Sequence, residues 1–254
     1  MLKLFRSIRK GLLSENKLSK YLVYALGEII LLVIGILIAL AINNLNQDRI
    51  KEKNEQIYLL GLREEFQFSK AKLEELIAVN KANFEGAKQI LEHSSSPTND
   101  LDERDFSRLM YASLSMDIAF NPNNSLLTEM INSGNLKNIS NPVLRILLTN
   151  WIATLEDIER QERDLGIQRE RVLDLFRRNE YSLKTILLHT GLYEEFGFPD
   201  SGSHHSNLSL MESREFENNM LMFILTSAAT ETAHYEPLMQ DLEDIQALID
   251  AEIE

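Results

Sequence analysis

Residues 21–42 read YLVYALGEIILLVIGILIALAI, 22 residues in which Glu28 is the one acidic or basic side chain. At about 1.5 Å of rise per residue such a helix reaches roughly 33 Å, the thickness of a hydrocarbon core. Tyr21 and Tyr24 stand at its head as interfacial aromatics, and Asn43, Asn44 and Asn46 close it. The stretch predicts a transmembrane helix. A secretory signal cleaved after Ala39, Leu40 and Ala41 is the competing reading. Against it stand the length of the apolar run, the interrupting Glu28 and helix-favouring sequence beyond the cut.

Charge then gives the span a direction. Residues 1–20 carry six basic side chains, Lys3, Arg6, Arg9, Lys10, Lys17 and Lys20, against Glu15, whereas Arg49, Lys51 and Lys53 lie close on the far flank. That bias predicts a cytoplasmic N-terminus and a body on the opposite side. Leu2, Phe5, Ile8 and Leu12 recur at helical spacing with Lys3, Arg6, Arg9 and Lys10 on the other flanks. Residues 1–13 therefore read as a basic amphipathic helix on an anionic leaflet, or else as a basic tail that only obeys the orientation rule. Beyond the span the chain is acidic, with 20 basic against 37 acidic groups, which argues against a nucleic-acid partner. With no cysteine there are no structural disulfides.

Inside the span, Glu28 must snorkel, hold a proton or find a partner, because an ionised carboxylate at bilayer depth costs several kcal/mol. It either reaches the interface near Lys17 and Lys20 or marks a self-association site or ion path. Gly27, Gly35 and Ala39 supply small residues beside it, and Gly35 with Ala39 forms a small-xxx-small pair.

The basic opening, then SENK at 14–17, then GEIILLVIGILIALAINN at 27–44, resembles a family of uncharacterised single-pass bacterial membrane proteins that carry a domain of unknown function. The likeness continues in Ile131-Asn132-Ser133-Gly134-Asn135-Leu136. It implies a Gram-negative inner-membrane protein with residues 43–254 in the periplasm, and it brings no activity, ligand or catalytic residue. Leu45 stands where that pattern leads one to expect an aromatic.

The rest of the chain reads as all-α. Residues 43–56 have only Leu45 and Ile50 as apolar side chains, a helix polar all round and hence a stalk. Residues 57–254 read as an acidic helical bundle, whose first helix shows Leu59, Leu62, Phe66, Leu73, Leu76, Ile77, Phe84 and Leu91 in a drifting stripe and ends before the Ser94-Ser95-Ser96-Pro97 loop. A short helix over 101–114 turns Phe106, Leu109, Met110 and Leu114 inward, and another over 126–133 is stopped by Gly134. Asn141-Pro142 opens a long helix to about residue 180. Its stripe of Leu144, Leu148, Trp151, Leu155, Ile158, Leu165, Val172 and Phe176 is broken by Glu162 and Arg169, so its middle reads as an exposed arm or self-pairing seam. A helix over 183–196 follows, then a loop with His204 and His205, then a last segment kinked near Pro237.

Glu231-x-x-His234 is the one constellation with metal-ligand spacing, since i and i+3 share a helix face. Di-iron chemistry needs a second such pair and two further carboxylates, and none of the other histidines, His93, His189, His204 and His205, has a glutamate three residues earlier. A satisfied buried polar pair is the plainer reading, and no metal or cofactor is assigned. Phosphate-binding glycine loops and nucleophile elbows are absent. These readings lead to a non-enzymatic, membrane-anchored interaction or scaffold module that is expected to form homo-oligomers or to bind another envelope protein. A ligand-binding sensor working through a partner, and a small oligomeric conductance using Glu28, are the alternatives.

Overall fold

The computed structural model describes residues 18–94, 101–199, 202 and 204–253. The expected basic helix over 1–13, with Lys3, Arg6, Arg9 and Lys10, lies outside them. The chain divides into two compact units, residues 1–57 and 58–254, and every described element is helical.

The first unit belongs to α1 (Leu18–Ser94), a helix of 77 residues. Every large aliphatic side chain over residues 22–42 is exposed, by 46–73 %. Among the described residues this is the one helix long and apolar enough to cross a membrane, with a mean hydropathy of 2.8 in its most apolar window. Glu28 is half-buried, whereas all side chains over 43–54 are exposed.

The second unit has a single core. The last turns of α1 bury Leu59, Leu62, Phe66, Leu73, Ala87 and Ile90 along one stripe, the drift of which follows from 3.6 residues per turn. In α2 (Glu103–Leu114) the Asp102 carboxylate caps the first turn by accepting the Asp105 amide at 2.8 Å, and Phe106, Met110 and Leu114 point inward. Helix α3 (Ser125–Asn132) is halted by Gly134, whose φ of +70° suits a residue without a Cβ. Helix α4 (Pro142–Leu173) begins as its Asn-Pro start dictates, with the Asn141 side-chain Oδ1 accepting the amides of Val143 and Leu144.

Two expectations need correction. The middle of α4 is no exposed arm: Ile158, Glu162, Leu165 and Val172 are buried. Glu162 and Arg169 keep their places in the stripe because each finds polar partners inside the protein. The Arg169 Nε donates to the Leu114 carbonyl at 2.7 Å, closing the end of α2, and the partners of Glu162 are given below. The single helix expected over 183–196 is instead α5 (Leu183–Thr190) and α6 (Leu192–Glu195), parted at Gly191, whose φ is +81°. After a 3₁₀ turn at Leu208–Glu212, α7 (Arg214–Ala229) and α8 (Glu236–Glu252) complete the unit.

Trp151 is 2 % exposed in the core, with its ring 5.2 Å from that of Phe66 and 6.4 Å, edge on, from Phe120. The start of α3 carries no side-chain cap of its own from Asn124. Its amides are met from α1, where the buried Glu65 carboxylate accepts Leu126 N–H at 2.5 Å, Leu127 N–H at 3.2 Å and the Ser125 hydroxyl at 3.0 Å. Glu65→Ala leaves those donors without an acceptor. It is expected to lower the unfolding free energy of the full-length protein in detergent by about 1–3 kcal/mol, and Glu65→Gln by less.

Candidate functional site

The segment leaving α7 has to accommodate Pro237, which has no amide hydrogen and whose ring collides with the carbonyl four residues earlier in a regular helix. The backbone meets this upstream: Thr230–Tyr235 forms a π-helical turn, and Pro237 then sits in the first turn of α8. The expected kink is thus a widened turn placed before the proline. π-turns inside α-helices recur at functional sites, which directs attention to the side chains this one carries.

The wider turn moves the inward position by one residue. Phe216, Met220, Phe223, Ser227 and Glu231 continue one buried face, but the next buried place goes to Tyr235 and not to His234. Four side chains of the turn then reach two neighbouring helices. Toward α1, the Glu231 carboxylate accepts Asn80 Nδ2 at 3.0 Å and pairs with Lys81 Nζ at 3.2 Å. Asn80 also donates to the Ser227 carbonyl at 3.1 Å and accepts the Ser227 hydroxyl at 2.7 Å. Toward α4, Thr230 Oγ1 accepts Gln161 Nε2 at 3.0 Å, His234 Nδ1 lies 3.5 Å from Asp157, and the Tyr235 hydroxyl donates to Glu162 at 2.6 Å.

Glu231 and His234 therefore face different helices and share no ligand position. The π-turn breaks the three-residue spacing that would have put them on one face. Among the described residues no three His, Cys, Asp or Glu side chains are grouped to hold a metal ion. His205 is engaged elsewhere, with Nε2 2.9 Å from the Glu180 carbonyl.

Glu162 is the most constrained ionisable group of the set. Its two oxygens lie 3.0 and 2.9 Å from the Phe120 amide nitrogen, and Oε1 also takes the Tyr235 hydroxyl. Burial pushes its pKa above the ordinary carboxylate value. The Tyr235 and Phe120 hydrogen bonds pull it back, and the charges of Asp117 and Glu159 raise it further. Tyr235 is raised as well, first by burial and then by the neighbouring Glu162 charge. Two grooves have residues of this set in their walls, and the first of them borders the turn itself. One of about 370 Å³ is lined by Asn80, Lys81, Phe84, Ser227 and Glu231. The other, of about 520 Å³, has Glu162 in its wall with Asp117, Ile118, Glu159, Arg163 and Ile167.

Of the residues singled out by sequence inside the span, Gly27 and Gly35 have no atom within 4 Å of where a Cβ would stand, and Ala39 is exposed. Sequence reasoning passed over Asn80, although its place midway between Leu73 and Ala87 in an otherwise apolar register is a signal that could have marked it. Nothing local marks Tyr235 or the acceptor role of Glu65, because both depend on partners far away in the chain.

A family model described as a family of unknown function (DUF6090) matches residues 28–156, about half of the chain. The match takes in Glu28, Gly35, Ala39, Glu65, Asn80 and Trp151 and stops short of Glu162 and the π-turn. No curated protein and no solved structure matches.

Proposed function

The chain belongs to this family of unknown function, DUF6090, and from its structure we propose a membrane-anchored helical interaction or scaffold protein that self-associates through its apolar N-terminal helix. The observation that carries the reading is the collar of exposed aliphatic side chains over residues 22–42. Soluble monomers rarely expose contiguous apolar patches beyond several hundred Å². Burying each large aliphatic side chain contributes about 1.5–3 kcal/mol, so a bilayer is the natural surrounding for this segment. The basic excess before the span supports a cytoplasmic N-terminus with residues 43–254 on the opposite side, and the resemblance carried by residues 14–17 and 27–44 supports a bacterial inner membrane, which makes that side the periplasm.

Self-association is supported by the open flanks of Gly27, Gly35 and Ala39, where a second helix can approach closely, with Glu28 on the same helix as the polar group such an approach would shelter. The bundle supplies a surface for an envelope partner, and no catalytic role is assigned to it. The test is the mass of the full-length protein in mild detergent and the recovery of stoichiometric partners from native membranes. An oligomer that weakens in Gly35→Leu and Ala39→Leu supports the reading, and a strictly monomeric, partnerless protein overturns it. The groove beside Asn80 and Glu231 favours a second reading, a sensor that binds a small ligand at the π-turn. Ligand-dependent disulfide cross-linking of cysteines placed over residues 43–54 distinguishes it from a passive scaffold.

A further inference from the structure

We infer that the groove between α2, the end of α4 and the broken α5–α6 pair binds a medium-chain aliphatic carboxylate, with Arg169 receiving the carboxylate and the walls enclosing the chain. Every group involved lies in the second unit, so the inference is independent of membrane anchoring and self-association.

The groove exists because a helix breaks. On a continuous helix over 183–196, Leu192 and Phe196 would stand about 180–220° around the axis from Leu183, on the face opposite Ile186 and Leu187. Gly191, with its φ of +81°, instead ends α5 in the left-handed conformation, and α6 starts from it in a new direction. Leu192 and Phe196 thereby line the same groove as Ile186 and Leu187, together with Leu114 of α2 and Leu173 of α4. Its volume is about 300 Å³, at the lower end of the range for small-ligand sites.

The protein does not cover these walls by itself. Leu183 and Phe196 are 50 % and 60 % exposed, and Tyr111, also in the wall, is 38 % exposed. An aliphatic chain lying in the groove would take both its own methylenes and this apolar rim out of water.

One charge stands among the apolar side chains. Of the described residues lining the groove, Arg169 alone is charged, and Ser115 adds a hydroxyl. A guanidinium has five N–H donors. In Arg169 the Nε donates to the Leu114 carbonyl at 2.7 Å and Nη1 to Glu170 at 3.2 Å, whereas Nη2 has no protein acceptor among the described residues. Glu170 lines the neighbouring groove and shares its charge with Arg177, which is itself paired with Asp174. A ligand can therefore meet Arg169 without displacing Glu170. A single guanidinium with a few open donors matches a planar, singly charged carboxylate, and the apolar walls match the chain that carries it.

Photolabelling of the full-length protein in zwitterionic lipid nanodiscs, where no detergent competes for the groove, tests the assignment. The probe is decanoate with a diazirine at the chain end, and the readout is which peptides carry the label. Label is expected within 110–115 and 183–196, besides what the bilayer delivers to 22–42. After correction for partition into the bilayer, unlabelled decanoate should displace the groove label at about tenfold lower concentration than decanol, the difference made by one charge-assisted hydrogen bond. Arg169→Gln should erase that preference, and Leu187→Trp, which fills the groove, should remove the groove label and spare 22–42. Label confined to 22–42 overturns the site, as does equal displacement by decanoate and decanol or a preference that persists in Arg169→Gln. If Arg169→Gln does not fold, groove label that survives in Leu187→Trp overturns it equally.

Discussion

Trp151→Ala is expected to lower the unfolding free energy by about 3–5 kcal/mol, the range for removing a large aromatic from a packed core. The indole is 2 % exposed and in ring contact with Phe66 of α1 and Phe120 of the α2–α3 connection. Truncation therefore opens a cavity where three separate parts of the chain meet, and neither neighbour can collapse into it without leaving its own helix or connection. Domains of this size are stabilised by about 5–15 kcal/mol in total, so the variant should be near the margin of folding at physiological temperature. Since Trp151 is the sole tryptophan, fluorescence cannot follow both proteins. Far-ultraviolet circular dichroism against denaturant, with full-length protein in detergent, is the suitable measurement. A loss below about 1 kcal/mol would mean that the aromatic cluster is not the keystone of the core.

Leu32→Arg is expected to be as costly, through a different medium. Leu32 lies near the middle of residues 22–42 and is 61 % exposed. On insertion scales, exchanging leucine for arginine at the centre of a spanning helix costs about 3–4 kcal/mol. In a membrane-insertion assay the fraction spanning should drop sharply, whereas Leu45→Arg, beyond the apolar run, should insert like the parent. Equal insertion of both variants would argue that the apolar helix is covered by protein instead of lipid.

How much of this was legible depended on how local the cause is. Asn141-Pro142 announced α4, Gly134 stopped α3, and Phe106, Met110 and Leu114 marked the inner face of α2, because caps, turns and helical periodicity act within a few residues. Glu162 and Arg169 misled for the opposite reason: their charges suggested solvent, while the Phe120 amide, Tyr235 and the Leu114 carbonyl that shelter them come from distant positions. The π-turn was hidden for a related reason. A period of 3.6 extended through 231 and 234 predicts one shared face, and only the backbone reveals the extra residue that sends His234 toward Asp157 and brings Tyr235 inward. Glu65 looked like any surface glutamate on a long helix until the start of α3 was seen against it.

That last contact also orders events in time. Helix α3 has eight residues, too few to persist alone in water, and its first amides are satisfied by a carboxylate sixty positions earlier. Closing so long a loop must precede any benefit to α3. Helix α3 should therefore condense after the folding barrier has been crossed, so that substitutions within it accelerate unfolding and leave the folding rate nearly untouched.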